Sequence, residues 1–382
     1  MGVPRILVAG AGIGGLALAQ ALHHGGLDVT VFERDPTPTI RDQGYRLHID
    51  PDGNAALRDC LPAPALAEVH RTSGVNGDLV ASYTQRLEQV MAQTFPDVSG
   101  ADVTHVDRNA FRQGLLTGLG DRVRFGRAVS GYSVTGSGRV RVEFAGGGGE
   151  EGDVLVGADG AGSAVRRRLL PHAALRDVGL RCLYGRMTID DTTAALVPDD
   201  FARGFCWVGG DRGEGAGFAP VFFRERPAGA RDYLMVAFVA GVARLGVPDQ
   251  RLFALPAADL WRLAAGICAD WHPALRALVA HADPGSFFPI TIRASEPVGP
   301  WRPGPVTLLG DAVHTMPPAG GVGANTALQD AATLAAELIA AARGERSLAE
   351  AVGRYERVML PRGFATIDRS LAMIGQMLGS PS

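Results

Sequence analysis

A glycine-rich turn wedged between an apolar run and an apolar helix constrains this chain more than any other feature. Residues 4–33, PRILVAGAGIGGLALAQALHHGGLDVTVFER, read as a buried strand (Ile6–Ala9), a turn, a helix over about Gly14–His24, a stop at Gly25-Gly26 and a second strand at Val29–Glu33. Strand, helix and strand with so short a crossover require a parallel pair. The turn, Gly10-Ala11-Gly12-Ile13-Gly14-Gly15, carries G-x-G-x-x-G at Gly10, Gly12 and Gly15. In this setting Gly10 serves the tight turn, Gly12 admits a pyrophosphate close to the backbone, and Gly15 lets helix pack on strand. The helix start then offers free N–H groups, including those at Ile13 and Gly14, and the positive end of its dipole. Glu33 closes the second strand 23 residues after Gly10, with Arg34 beside it. A carboxylate there accepts from ribose hydroxyls and repels a 2′-phosphate, so the expected tightly held nucleotide is FAD or NAD rather than NADP.

Composition narrows the chemistry. The chain has 382 residues and no lysine, so all 37 Lys+Arg positions are arginine. That removes Schiff-base formation, a pyridoxal anchor and a P-loop lysine. With 40 Asp+Glu the formal charge is −3, which gives no broad basic footprint for nucleic acid or anionic lipid. Cys60, Cys182, Cys206 and Cys268 form no C-x-x-C pair, so the expectation is no metal site, no disulfide framework and a reducing cytoplasm. The apolar start runs into glycines rather than a cleavable segment, and the longest apolar run, Tyr233–Ala243, is too short to span a bilayer. The sequence therefore predicts a soluble cytoplasmic protein; monomer and homodimer both stay open.

The pattern along the chain predicts two lobes. A strand near Tyr45–His48 leads to a helix starting near Gly53; residues 75–95 read as a strand pair, and Asp107–Leu119 as a helix. Short strands follow in Val123–Phe144 and at Val154–Val156. Between about 180 and 290 the runs CLYGRMTID, GFCWVGG, GFAPVFFR and DYLMVAFVA are short, aromatic and strand-like, and Ala257–Ala280 reads as helical. The strand Val306–Leu309 and a long helix over 325–343 restore the parallel pattern. Phe364, Ile367, Leu371, Ile374 and Leu378 mark one face of a closing helix. The fold class is thus α/β: a Rossmann-like lobe with a parallel sheet, interrupted by a mostly antiparallel β lobe, with closing C-terminal helices. The expected division is 1–70, 100–178 and 286–382 for the nucleotide lobe, and 71–99 with 179–285 for the substrate lobe.

Two further motifs sit at strand ends, where open α/β sheets bind ligands. Gly157-Ala158-Asp159-Gly160 follows Val154–Val156. Gly310-Asp311-Ala312-Val313-His314 follows Val306–Leu309 and leads into Pro317-Pro318-Ala319-Gly320-Gly321-Val322-Gly323-Ala324-Asn325. Three motifs in this order, over nearly the whole chain, resemble the class A flavoprotein aromatic hydroxylases, the para-hydroxybenzoate hydroxylase and salicylate hydroxylase superfamily. The resemblance implies that Gly10, Gly12, Gly15 and Glu33 hold the ADP half of FAD and that Asp311 binds the ribityl chain. It implies that the backbone from Pro317 through Pro318, Gly321, Val322, Gly323, Ala324 and Asn325 lies against the flavin ring. Asp159-Gly160, with Arg166 nearby, matches the motif tied to FAD and NAD(P)H. Arg108 matches an arginine that reaches FAD from a helix start, and Gly44-Tyr45-Arg46-Leu47-His48 occupies the segment beside the flavin. No second G-x-G-x-x-G stands between a strand and a helix, which agrees with a transient reductant, NADH or NADPH.

The implied activity is hydroxylation of an aromatic or polycyclic small molecule by O₂ through a flavin C4a-hydroperoxide. Epoxidation, Baeyer–Villiger insertion and flavin-linked reduction use the same cofactor, and a flavin or small-molecule binding protein without turnover is the reading from another class. Arg46 and His48 are the catalytic candidates, each weighed against a surface ion pair or a structural hydrogen bond; His314 is weighed in the same way. Tyr184, Trp207, Phe218, Phe222 and Tyr233, with Pro317, are the candidate substrate wall. Phe222 and its neighbour Phe223 cannot face the same side of one strand.

Overall fold

The computed structural model describes residues 2–39, 45–95 and 98–379. Gly44, expected beside the flavin, lies outside the described residues. The first strand, Arg5–Ala9, has parallel neighbours on both sides, Asp28–Phe32 and Val154–Gly157. Val306–Leu308 and Val123–Arg124 complete a five-stranded parallel sheet. Strands buried on both faces need apolar side chains throughout, and Ile6, Leu7, Val8 and Ala9 are all 0% exposed. The fingerprint helix Ile13–His24 packs beside Val322–Ala342, which in turn packs on the closing helix Leu348–Leu378. That closing helix starts with a full capping box between Ser347 and Glu350.

A seven-stranded sheet forms the second lobe, in the order Phe288–Ser295, Leu175–Thr188, Tyr233–Gly241, Gly215–Val221, Gly204–Gly209, Leu79–Thr84, Gln89–Thr94. Every pairing is antiparallel except that of Gly204–Gly209 with Leu79–Thr84. Phe288–Ser295, expected with the nucleotide lobe, is therefore an edge strand of this sheet. One face packs under the helices Ala257–Ile267 and Pro273–Ala280. These helices correct the single run expected over Ala257–Ala280. The chain breaks before Pro273, where His272 Nδ1 accepts from Ala274 N at 3.2 Å and caps a new helix. The opposite face packs toward Ala319 and the Ile374–Leu378 end of the closing helix.

A two-stranded ribbon, Arg46–His48 against His105–Asp107, joins the lobes. Aspartates cap the helices that leave it: Asp50 Oδ1 accepts from Gly53 N at 2.7 Å, and Asp107 Oδ1 accepts from Asn109 N and Ala110 N at 2.9 and 3.0 Å. No described helix is long and apolar enough to cross a membrane.

Candidate active site

Three strand ends and the ribbon wall one cavity of about 660 Å³. Gly12–Gly15 follow the first strand; Ala158, Gly160 and Ala161 follow Val154–Gly157; Leu309, Gly310 and Asp311 follow Val306–Leu308. The glycines act by different means. Gly10 has φ +105°, and a Cβ there would meet Ala158 O at 2.4 Å; a Cβ on Gly15 would meet Gly10 O at 2.2 Å. Both positions hold backbone against backbone. Around Gly12 nothing lies within 4 Å of such a Cβ, so the space is open to a ligand. The helices starting at Ile13 and Val322 carry no side-chain cap and no acid in their first turns. Their leading N–H groups stay unclaimed by capping side chains at the cavity wall, a ready site for anionic groups.

Side chains beneath the loops hold this geometry. Glu33 Oε2 accepts from Ala11 N at 2.8 Å and Oε1 from Asp35 N at 2.9 Å. Each carboxylate oxygen keeps a second lone pair, so a ribose hydroxyl still finds an acceptor. Arg112 Nε donates to Ala11 O at 2.9 Å, clamping the fingerprint turn from the other side. Sequence reading missed Arg112; its one signal is a place one helical turn after Arg108. Arg34 is exposed. Asp159 does not border the cavity: its Oδ2 accepts from Ala164 N at 2.7 Å, at the start of the helix Ala164–Leu169 that Ser163 caps, while Oδ1 is buried without a partner. Arg166 ties two loops together, donating from Nη1 to Ala312 O at 3.0 Å and from Nη2 to Ala161 O at 2.8 Å.

Asp311 opens into the cavity. Its setting deep in the cleft raises its pKa, and His314 and Arg108 pull the other way. Pro317, Pro318, Gly321, Gly323 and Ala324 form the next stretch of wall. Asn325 stands behind it, its Nδ2 donating to His48 O and Gly321 O at 3.1 Å and its Oδ1 accepting from Asp50 N at 3.1 Å. One buried amide thus joins the ribbon to the loop. His314 is buried and turned to Asp330, away from the proton-transfer role weighed for it.

The substrate-lobe wall is aromatic. Tyr184 stacks on Tyr45 at 5.0 Å and on Phe288 at 5.7 Å, and Arg108 lies 5.7 Å above the Tyr45 ring. Ile290 and Ile292 continue the surface. Four of the expected wall residues do not border this cavity. Phe218 points to the helix-covered face of its sheet, against Phe201, because Gly215–Val221 is buried on both faces. Trp207 faces the other side yet does not border the cavity; its indole N–H donates to Met377 O at 3.0 Å and grips the closing helix. Tyr233 lies behind the wall and donates to Asp107 Oδ2 at 3.0 Å. Phe222 borders a separate pocket of about 290 Å³.

Arg46 and His48 both border the main cavity. His48 Nδ1 lies 2.9 Å from Thr104 O, an acceptor only, so Nδ1 carries the proton and Nε2 is left as a base. Burial, followed by the Arg46 charge, holds its pKa below the usual histidine range. Burial also pulls the Arg46 guanidinium down to about 10.

The open space over Gly12, two uncapped helix starts and a free acid at Asp311 fit a long dinucleotide carrying a diphosphate and a polyol. They fit FAD. Residues 8–57 match the family described as NAD(P)-binding Rossmann-like domain, and residues 270–370 the family described as FAD binding domain. A Photorhabdus luminescens protein assigned as an FAD-containing monooxygenase has a solved structure that matches with a TM-score of 0.85 at 30% identity, over 98% of each chain. Klebsiella pneumoniae HpxO, solved with FAD and uric acid, matches with a TM-score of 0.82 at 26% identity, over 98% of this chain and 89% of that one. The dual O-methyltransferase/FAD-dependent monooxygenase CTB3 of Cercospora beticola is 32% identical over 98% of this chain and 46% of its own length. The chain spans about half the length of CTB3 and the other dual O-methyltransferase/FAD-dependent monooxygenases it matches. On these grounds the chain belongs to the class A FAD-dependent monooxygenase family, the family of the aromatic hydroxylases, with FAD as its cofactor.

Proposed function

We propose that this chain uses NADH or NADPH and O₂ to hydroxylate an aromatic small molecule. The observation that carries the reading is continuity: the loops that fit FAD and the aromatic wall at Tyr45 and Tyr184 border one cavity. FAD held there would supply the redox and oxygen chemistry, which is the cofactor's own.

The chain's residues have four tasks. The uncapped N–H groups at Val322 offer donors to negative charge beside the flavin ring. Tyr45, Tyr184, Ile290 and Ile292 seat an apolar ring and keep water from it. Arg108 and Asp311, both on the cavity wall, would hold the flavin chain in place. His48 Nε2, neutral and facing the cavity, takes the proton of a phenolic hydroxyl, which raises electron density on the ring carbon to be oxidised.

The test is a screen of aromatic compounds for stimulated NAD(P)H oxidation, with product mass read for one added oxygen. Stimulation with that gain is the expected result. A flavin-loaded protein that oxidises NAD(P)H at one rate whatever compound is present would instead be a flavin-binding protein without this turnover.

A further inference from the structure

Arg46 stands where two cavities meet. Besides the flavin-side cavity it borders the 290 Å³ pocket, together with Asn76, Asp78, His105, Pro220 and Phe222. In the ribbon, Arg46 pairs with Asp107 and His48 with His105. Residues directly opposite share a face of an antiparallel pair, as do residues two apart. One face therefore presents Arg46, His48, His105 and Asp107 together, against Tyr233 of the large sheet.

The charges on that face do not balance. Asp107 is committed to the two amides it caps and to the Tyr233 hydroxyl. Asp78 is held by Arg203 through contacts of 3.0 and 2.9 Å. Both histidines are kept neutral, His105 well below the usual range, by burial first and then by Arg46. Arg46 forms no ion pair among the described residues, and its Nε is buried without a partner. A guanidinium drawn partly out of water with no counter-charge is costly, and an anionic ligand relieves that cost. Its planar fork matches a carboxylate through two parallel hydrogen bonds.

We propose that Arg46 anchors an anionic oxygen of the substrate, a carboxylate or an ionised enol or phenol, and so selects acidic substrates over neutral ones. The ring to be oxidised sits on the flavin side, and the rest of the molecule extends into the side pocket against Pro220 and Phe222. This rests on the reading of the main cavity as an oxygenation site.

The experiment titrates the FAD-loaded full chain with three matched pairs, benzoate and benzamide, 2-naphthoate and 2-naphthamide, cinnamate and cinnamamide, following the flavin absorbance. Each acid binds the native protein at least tenfold more tightly than its amide; the ratio falls close to one in Arg46→Gln and is partly kept in Arg46→Lys. In Phe222→Trp, which narrows the side pocket, cinnamate loses more affinity than benzoate. Acids bound no better than amides, or a ratio unchanged in Arg46→Gln, overturn the proposal. So does a variant that binds NADH more weakly while keeping the native ratio, because the guanidinium would then serve the reductant. If none of the six compounds perturbs the flavin and no aromatic stimulates NAD(P)H oxidation, the oxygenation reading falls and the subsite with it. Binding without charge discrimination sinks the subsite alone.

Discussion

His314 Nε2 and Asp330 Oδ2 meet at 2.6 Å, both side chains buried behind the turn that presents Asp311. The same oxygen accepts from Gly310 N at 3.1 Å, and Oδ1 accepts from Arg362 Nη2 at 2.8 Å. Burial opposes a charge on His314, but Asp330, with Asp311 behind it, outweighs burial and raises the pKa. One carboxylate thus joins a loop, a short helix and two long helices. Asp330→Ala strips buried His314, half-buried Arg362 and Gly310 N of their shared partner and destabilises the protein by about 3 kcal/mol. Thermal unfolding with and without FAD checks this: both melts drop, and excess FAD recovers only part of the loss.

Gly12 and Gly15 give a contrasting pair. Gly12 has φ −77° and ψ −177°, extended backbone open to any residue, with free space around it. Gly12→Val therefore leaves the melt of the FAD-free protein within about 0.5 kcal/mol of native and weakens FAD binding by roughly tenfold or more. Gly15→Ala drives a methyl into Gly10 O and lowers the FAD-free melt itself. Flavin fluorescence quenching and scanning calorimetry separate the two effects.

The base role proposed for His48 makes a kinetic prediction. His48→Asn lowers kcat on a phenolic substrate by about 10²-fold or more while FAD content holds. Because its pKa is lowered, the native acid limb of kcat/KM lies below the ordinary histidine range. That limb disappears in the variant, as a pH series of initial rates will show.

Glu356 offers a pH test remote from the cavity. It is 4% exposed, accepts from Thr307 Oγ1 at 2.8 Å, and burial pushes its pKa up to about 7 from 4.5. A carboxyl with a raised folded pKa favours folding below its unfolded value and loses that contribution as pH rises through the folded one. Between about pH 4.5 and 7 the loss is on the order of 3 kcal/mol. Glu356→Gln removes the ionisation, so its melt matches native near pH 5 and exceeds it increasingly toward pH 8.

What the sequence disclosed was backbone that had to obey local rules. Gly10, Gly12 and Gly15 sit at fixed spacing because two of them touch other backbone and the third leaves room for a ligand. Asp311 was readable because a strand end had to present it. Side-chain direction inside a doubly buried sheet was not readable. Every residue of Gly215–Val221 is buried, so Phe218 gave no alternation from which to assign its face. Arg112 was hidden for another reason: its partner Ala11 lies 101 residues away, and no local pattern reports such a contact. Trp207, expected on the substrate wall, instead contacts Met377, 170 residues later, and no local pattern reports that either.

Gly12 and Ala324 wall the same cavity, and Leu16 and Leu328 share one hydrophobic cluster. Synthesis must therefore run from Gly12 on through Ala324 before the flavin berth has both sides. Cofactor loading therefore requires the helix Val322–Ala342, and the early Rossmann segment waits for it.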